Sequence, residues 1–190
     1  MSDDEFDDDK LEHHDIWDFI LSDSDGKTTV SELRERWSDI IANKGGRCCV
    51  CGRWGKINPR TINSTMTKSF IWLCKEKLKT PNDKWVDVQG KAPRSVLRTS
   101  QLASMKYWGL IERPVLEADY DELHPVKHTG MWRPTQRGWD FYYGIIAVPK
   151  KVFVYNDRVI KEGEELVLIK DCFENKFDYA EVMQSTFADD

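Results

Sequence analysis

Charge is divided along this chain so that both ends are acidic and the middle is basic. Residues 1–25 carry a net charge of −10, residues 26–170 carry +10 and residues 171–190 carry −5. The first segment has a composition biased toward disorder because its like charges repel, although a short helix could pack its Trp17 and Ile20 onto the core. A chain of 190 residues fits one domain, or one domain plus a small appendage, and its apolar content and eight tryptophans suffice for a packed core.

Positive charge is concentrated further within residues 43–107, which contain 14 Lys or Arg residues and three acidic residues. A basic surface formed by one segment is the electrostatic footprint of a polyanion binder. We therefore expect nucleic acid as the partner, held through its phosphates. The side chains expected to contact phosphate are those of Arg47, Arg53, Lys56, Arg60, Lys68 and Arg98.

The sequence also bears on location. No apolar run approaches the roughly 20 residues that a membrane-spanning helix needs, so we expect no membrane partner. The first residues lack the basic and apolar regions of a signal peptide. We therefore expect a reducing cytoplasm, which would be the host cytoplasm if the chain is viral. An odd number of cysteines, five, favours metal ligation or free thiols over a disulfide framework.

Apolar periodicity and turn residues predict a mixed α+β fold. Helical spacing is found after Thr29 or Ser31, which can cap a helix that ends at Gly45-Gly46. Alternating residues around Asn156-Asp157 predict a β-hairpin with a two-residue turn, and residues 165–170 are compatible with strand or helix. Further helices are predicted over residues 61–79, 101–108, 136–144 and 177–183, with a short helical stretch ending at Leu97 and strands at 85–88 and 110–113. The predicted 61–79 helix has an apolar, buried side that includes Phe70, and the predicted 101–108 helix is capped by Thr99-Ser100 and closed by Gly109 in a left-handed turn.

These elements suggest four segments. Residues 1–25 form an acidic, flexible arm, and residues 26–60 form a helix followed by a cysteine-rich basic loop. Residues 61–150 form the main domain, and residues 151–190 form a β-hairpin with an acidic C-terminal segment.

The basic loop contains a short cysteine motif. Cys48 and Cys51, followed by Gly52, have the spacing of a zinc knuckle, in which backbone N–H groups point at the two thiolates. A structural zinc site needs four ligands, so two more residues would have to complete it. The spacing of the cysteines alone does not distinguish zinc binding from free thiols, so both stay alternatives. The residues that could complete the set are Cys49, Cys74, His124 and His128, and a core thiol is the other interpretation of Cys74.

Two motifs in sequence order resemble winged helix-turn-helix domains. The first, residues 100–113, ends in Gly109-Leu110-Ile111 after a predicted helix, and the second is the aromatic-x-x-Thr-x-x-Gly run from Trp132 to Gly138. The resemblance covers about residues 61–145 and implies a winged-helix-like core with an appended β-hairpin and acidic tails. The chain from the cysteine loop to the hairpin also faintly resembles uncharacterised proteins of tailed phages, which implies a viral source and no mechanism.

The resemblance implies that residues 99–108 form the recognition helix and that loop 114–130 is the wing. Gln101, Ser104 and Lys106 would then face DNA, since short polar side chains can contact base edges and lysine can contact phosphate. The wing carries four acidic residues, which would repel phosphate, and winged helices also serve protein contacts. Double-stranded DNA is the expected ligand, with RNA open.

We expect no enzyme, because the common phosphate-loop, nucleophile-elbow and zinc-protease motifs are missing from the sequence. The expected function is a non-enzymatic regulator that binds nucleic acid. The alternative is a virus-encoded interaction module, or a nucleic-acid mimic, whose acidic arm binds and inhibits a host protein. The arm could instead cover the basic surface of its own chain or of a second copy, so a monomer and a dimer are both compatible with the sequence.

Overall fold

The computed structural model describes residues 28–48, 52–82, 84–114, 130–173 and 178–187. The chain divides into two units, one ending at Ile57 and the other beginning at Asn58. The predictions for the acidic arm, for Cys49, Cys51, His124 and His128, and for nearly all of the wing loop lie outside the described residues. Within the described residues, no helix combines the length and the apolar character needed to cross a membrane.

The first unit contains one helix and one short hairpin. Helix α1 (Val30–Asn43) begins at Thr29, whose side chain accepts from the backbone of Glu32 while Glu32 accepts from the backbone of Thr29. This capping box satisfies N–H groups that have no partner inside the helix, and it confirms the predicted start. Strands β1 (Gly46–Arg47) and β2 (Trp54–Gly55) pair antiparallel, so the predicted basic loop is a hairpin over these residues.

The second unit is built around helix α2 (Ser64–Lys79), which begins after Asn63 because that side chain accepts from the backbone N–H of Met66. Its apolar side is buried, as predicted, and the Phe70 ring lies 6.0 Å from that of Phe141. Burying such side chains is the main stabilising contribution, at about 1.5–3 kcal/mol each. The buried residues of α2 include Met66, Phe70, Ile71, Leu73 and Cys74.

A three-stranded antiparallel sheet lies in this unit, with the strand order β4-β6-β5. Strand β4 is separated from β5 along the chain by three short helical segments, and β6 leads directly into α5. The elements are β4 (Val86–Asp87), α3 (Val88–Lys91), α4 (Arg94–Leu97), the 3-10 helix η1 (Leu102–Trp108), β5 (Ile111–Glu112), β6 (Met131–Pro134) and α5 (Gln136–Tyr142).

The predicted hairpin is present and belongs to a second sheet of order β3-β8-β9. Its turn residues Asn156 and Asp157 have φ angles of 47° and 61°, as a two-residue turn between right-twisted strands requires. The remaining elements are β3 (Asn58–Thr61), β7 (Val148–Pro149), β8 (Lys151–Tyr155), β9 (Arg158–Glu162), β10 (Leu166–Val167), the 3-10 helix η2 (Ile169–Phe173) and α6 (Tyr179–Gln184).

The structure therefore has the mixed α+β character that the sequence predicts, with several local differences. Residues 165–170 contribute both a short strand and the start of η2. Residues 151–173 share the core of the second unit, since Val152, Ile169 and Phe173 are buried within it. They are thus part of one packed unit with residues 61–114.

The predicted cap of the helix at residues 101–108 is wrong. Thr99 and Ser100 donate their hydroxyl groups backwards to the carbonyl oxygens of Val96 and Leu97, at 3.1 and 3.5 Å. They therefore close α4 instead of opening η1, whose first turn has no side-chain cap. Hydroxyl side chains can bond to the turn before them as well as to the turn after them, and the sequence does not distinguish the two.

Candidate nucleic-acid interface

The side chains predicted to bind phosphate fall in both units. Arg47, Arg53 and Lys56 lie on or beside the β1–β2 hairpin of the first unit and are exposed. In the second unit, the predicted residues lie on β3, α2, α4 and η1 or directly beside them; they are Arg60, Lys68, Arg98, Gln101, Ser104 and Lys106.

The hairpin of the first unit is closed around the start of the cysteine motif. The backbone N–H of Cys48 donates to the carbonyl of Arg53 at 2.8 Å, and that of Gly52 donates to the carbonyl of Cys48 at 2.8 Å. Arg47 adds a bond from its Nη1 to the carbonyl of Gly52, at 3.1 Å. These hydrogen bonds fix the position of the half-buried Cys48, and the bond from Arg47 further stabilises the loop.

Of the predicted zinc ligands, the structure describes Cys48 and Cys74, and zinc binding stays a prediction. Among the described residues, no group of three or more His, Cys, Asp or Glu side chains lies close enough to hold a metal ion. Cys74 is fully buried on α2, and burial raises the pKa of its thiol well above the usual value. A buried neutral thiol is the packing role that the sequence offered as the alternative for Cys74.

A stretch of exposed positive charge without acidic residues lies between β4 and η1 in the second unit. Residues 88–109 contain four cations and no acidic side chain. On α4, Val96 is buried while Arg94 and Arg98, one helical turn apart, are exposed. Lys91 is also exposed and lies 3.4 Å from Glu76. Arg94 and Arg98 thus present two guanidinium groups on the outer side of one short helix.

Segment η1 is a 3-10 helix, and its sequence explains why. Its buried side chains are Leu102, Met105 and Trp108, each three residues apart, and a 3-10 helix has three residues per turn. The indole N–H of Trp108 donates to the carbonyl of Pro149 at 2.6 Å, which fixes the end of the segment. Gln101 and Ser104 are half-buried, and the described residues offer no hydrogen-bond partner to the buried Oε1 of Gln101.

Hydrogen bonds join the two motifs that carry the winged-helix resemblance. Gly109 adopts the left-handed conformation after η1, as predicted, with φ of 67°. The Thr135 hydroxyl donates to the Gly109 carbonyl at 2.6 Å and accepts from the N–H of Gly138 at 3.0 Å. A side chain at Gly138 would collide with the carbonyl oxygen of Leu110. The threonine and the second glycine are therefore needed where α5 packs against the strand that follows η1.

Lys106 is paired with a carboxylate of the hairpin turn. Its Nζ lies 2.8 and 2.7 Å from the two carboxylate oxygens of Asp157, and the Tyr107 hydroxyl donates to the same carboxylate at 2.6 Å. These hydrogen bonds, from Lys106 first, lower the pKa of Asp157. Burial, followed by the bond to Asp157, raises the pKa of Tyr107. Lys106 is therefore already paired with a carboxylate of its own protein, at a solvent-exposed position, and its contact with nucleic acid stays a prediction.

Two lysines of α2 donate hydrogen bonds to backbone carbonyls of the same unit. Lys77 is 8% exposed and its Nζ donates to the carbonyls of Pro81, Asn82 and Lys84 at 2.7, 3.3 and 2.7 Å. Lys75 donates to two carbonyls at the end of α6 and lies 5.1 Å from the centre of the Phe187 ring. Lys68 lies 6.0 Å from the same ring. Desolvation lowers the pKa of Lys75.

Sequence reasoning missed three residues that the structure places with the predicted ones. Arg94 is exposed beside Arg98, and its position four residues earlier on a predicted helical stretch was the available signal. Tyr107 and Asp157 meet across 50 residues of sequence, and no local pattern indicates that contact.

Comparisons of the chain with protein-family models, with curated protein sequences and with solved structures find no match.

Proposed function

We propose that this protein binds double-stranded nucleic acid, DNA in the first place, through a winged-helix-like part of its second unit. The arrangement of the elements supports this proposal. Segment η1 leads through Gly109 into β5, β5 pairs antiparallel with β6, and β6 leads into α5. This is the order that the resemblance implies, with loop 114–130 connecting the two strands.

The exposed pair Arg94 and Arg98 is the observation on which the proposal depends. Both guanidinium groups lie on the outer side of α4, within a stretch of 22 residues that has no acidic side chain. Guanidinium groups bind phosphate in bidentate geometry, and two of them about one helical turn apart can contact the phosphates of one strand. Such contacts position a protein on nucleic acid without reading its sequence.

The test is a titration of fluorescent duplex DNA with the full chain at several salt concentrations. We expect the logarithm of the affinity to fall linearly with the logarithm of the salt concentration, because phosphate contacts release counterions. Arg98→Gln should reduce that slope by about one unit. Lys170→Gln, which removes an exposed charge on η2, is the matched control and should leave the slope unchanged.

Two results would contradict the proposal. The first is weak binding that does not change with salt, and the second is an equal loss of affinity for Arg98→Gln and Lys170→Gln. Duplex RNA and single-stranded DNA of the same sequence, measured under the same conditions, distinguish the classes of nucleic acid.

One observation favours a second function, a contact with another protein. Tyr143 is 61% exposed and Ile145 is 70% exposed, directly after α5, and the ring of Tyr143 stacks on that of Trp139 with 6.1 Å between the centres. Exposed aromatic and aliphatic side chains in one patch are typical of protein interfaces. A partner recovered from nuclease-treated host lysate by the native chain, but not by Tyr143→Ser/Ile145→Ser, would support this function.

A further inference from the structure

Asp157 is an acidic side chain placed among basic groups. Its carboxylate accepts two hydrogen bonds from Lys106 and one from Tyr107. The positive charge of Arg113 acts on this carboxylate, and that of Arg60 acts on Tyr107. Lys106 and Tyr107 therefore hold an anion at the turn of the β8–β9 hairpin by hydrogen bonds, and that anion belongs to the protein itself.

The backbone conformation at Asp157 favours glycine. Asp157 is the second residue of the turn and has φ of 61°, where glycine is the residue with the least steric cost. An Asn-Gly turn would allow the same hairpin without a carboxylate. The carboxylate of Asp157 is thus not required for the turn, and its role is to accept hydrogen bonds from Lys106 and Tyr107.

We propose that Lys106 and Tyr107 form a phosphate-binding site, to whose positive potential Arg60 and Arg113 contribute, and that Asp157 occupies it as the protein's own anion until a phosphate of the bound nucleic acid replaces it. This inference rests on the proposed function and names a site and its regulation within it. A carboxylate and a phosphate oxygen accept the same charge-assisted hydrogen bonds from an ammonium group and from a phenol. No covalent step is involved, since one anion exchanges for another.

The position of the pair explains how the exchange would affect binding. Lys106 lies on η1, the segment that the resemblance assigns to recognition, and Asp157 lies on a hairpin whose strand β8 also contacts η1. While the ion pair is closed, the Asp157 carboxylate neutralises Lys106 and repels phosphate at the same place. Non-specific binding is weakened as a result, because it depends almost entirely on phosphate contacts.

The first experiment compares DNA affinity in three variants of the full chain. Asp157→Asn should tighten binding about two- to fivefold at low salt, the range expected for loss of an exposed ion pair. Glu162→Gln removes the same charge from an exposed residue of the same hairpin and should have a smaller effect. Lys106→Gln/Asp157→Asn should lose the gain. Equal tightening in Asp157→Asn and Glu162→Gln, or a gain that persists in the double variant, would overturn the proposal.

Asp157→Gly guards against a change of fold, because glycine suits the turn and also lacks the carboxylate. It should bind DNA at least as tightly as Asp157→Asn. Tightening in the asparagine variant alone would assign the effect to the new amide and would contradict the proposed exchange.

A second experiment separates this site from the proposed function. Inorganic phosphate is titrated into isotope-labelled protein, and the backbone amide signals are followed by NMR. In Asp157→Asn, phosphate should shift the signals of Lys106 and Tyr107 at concentrations that leave the native chain unchanged. If the protein shows these shifts but binds no DNA, the proposed function is rejected and the anion site is supported. Unchanged signals in Asp157→Asn would reject the site.

Discussion

Two lysines of α2 and the two arginines of α4 carry the same charge but have different contacts. Lys75 and Lys77 direct their ammonium groups onto backbone carbonyls within the second unit, whereas Arg94 and Arg98 are exposed. The difference shows that a local count of Lys and Arg overstates the charge available to a ligand. An ammonium group that satisfies carbonyl oxygens is already part of the fold.

The largest expected loss of stability is at Lys77, and its absence would contradict this comparison. Lys77→Met removes three hydrogen bonds from one charged donor and should lower the free energy of unfolding by about 2–4 kcal/mol. Urea unfolding of the variant and the native chain measures the loss. Lys79→Met, which changes an exposed lysine of the same helix, should stay within about 0.5 kcal/mol. Equal stability of the two variants would mean that Lys77 has no structural role.

A smaller structural effect is expected at Lys75. Its two bonds reach the carbonyls of Val182 and Ser185, at 2.9 and 2.8 Å, and thereby hold the end of α6 on α2. Lys75→Met should lower the free energy of unfolding by about 1–2 kcal/mol, since two bonds are lost from a partly exposed group. Hydrogen exchange should become faster in residues 178–187 and stay unchanged in α5. Uniform acceleration across the second unit would argue against a local tie.

The arginines of α4 should behave in the opposite way. Arg94→Gln/Arg98→Gln should leave the urea midpoint unchanged and reduce the salt slope of DNA binding by about two units, because two phosphate contacts are lost. Anisotropy titrations and urea unfolding on the same preparation sharpen the comparison. A double variant that loses stability but keeps its affinity for DNA would show that these arginines stabilise the fold, as expected of Lys77, and do not contact phosphate.

The smallest effect concerns the ion pair of Lys106 and Asp157. The folded pKa of Asp157 lies below its usual 3.8, so its contribution to stability is present above that value and is lost as the pH falls through the lowered pKa. The contribution should stay below about 1 kcal/mol because the pair is solvent-exposed. An NMR titration of the carboxyl carbon gives the pKa directly. Lys106→Met should move it back toward 3.8, and an unchanged pKa would show that Lys106 is not its cause.

Local signals predicted most of the secondary structure. The capping box at Thr29, the apolar side of α2 around Phe70, the glycine after η1 and the Asn156-Asp157 turn all depend on neighbouring residues and on backbone sterics. The site was predicted less well, because it depends on contacts between distant segments. Arg98 is exposed and its phosphate contact stays a prediction, whereas Lys106 is held by a residue 51 positions away.

The sequence by itself determined the uneven distribution of charge, the alternation of helices and strands, and the positions where backbone geometry requires glycine or a turn. Each of these follows from residues that are close together in the chain. The tertiary structure alone decided which cations are available to a ligand. Packing brings carbonyls to Lys75 and Lys77 and a carboxylate to Lys106, and it leaves Arg94 and Arg98 in solvent. Electrostatic pairing acts through distances in space, which the order of residues does not specify.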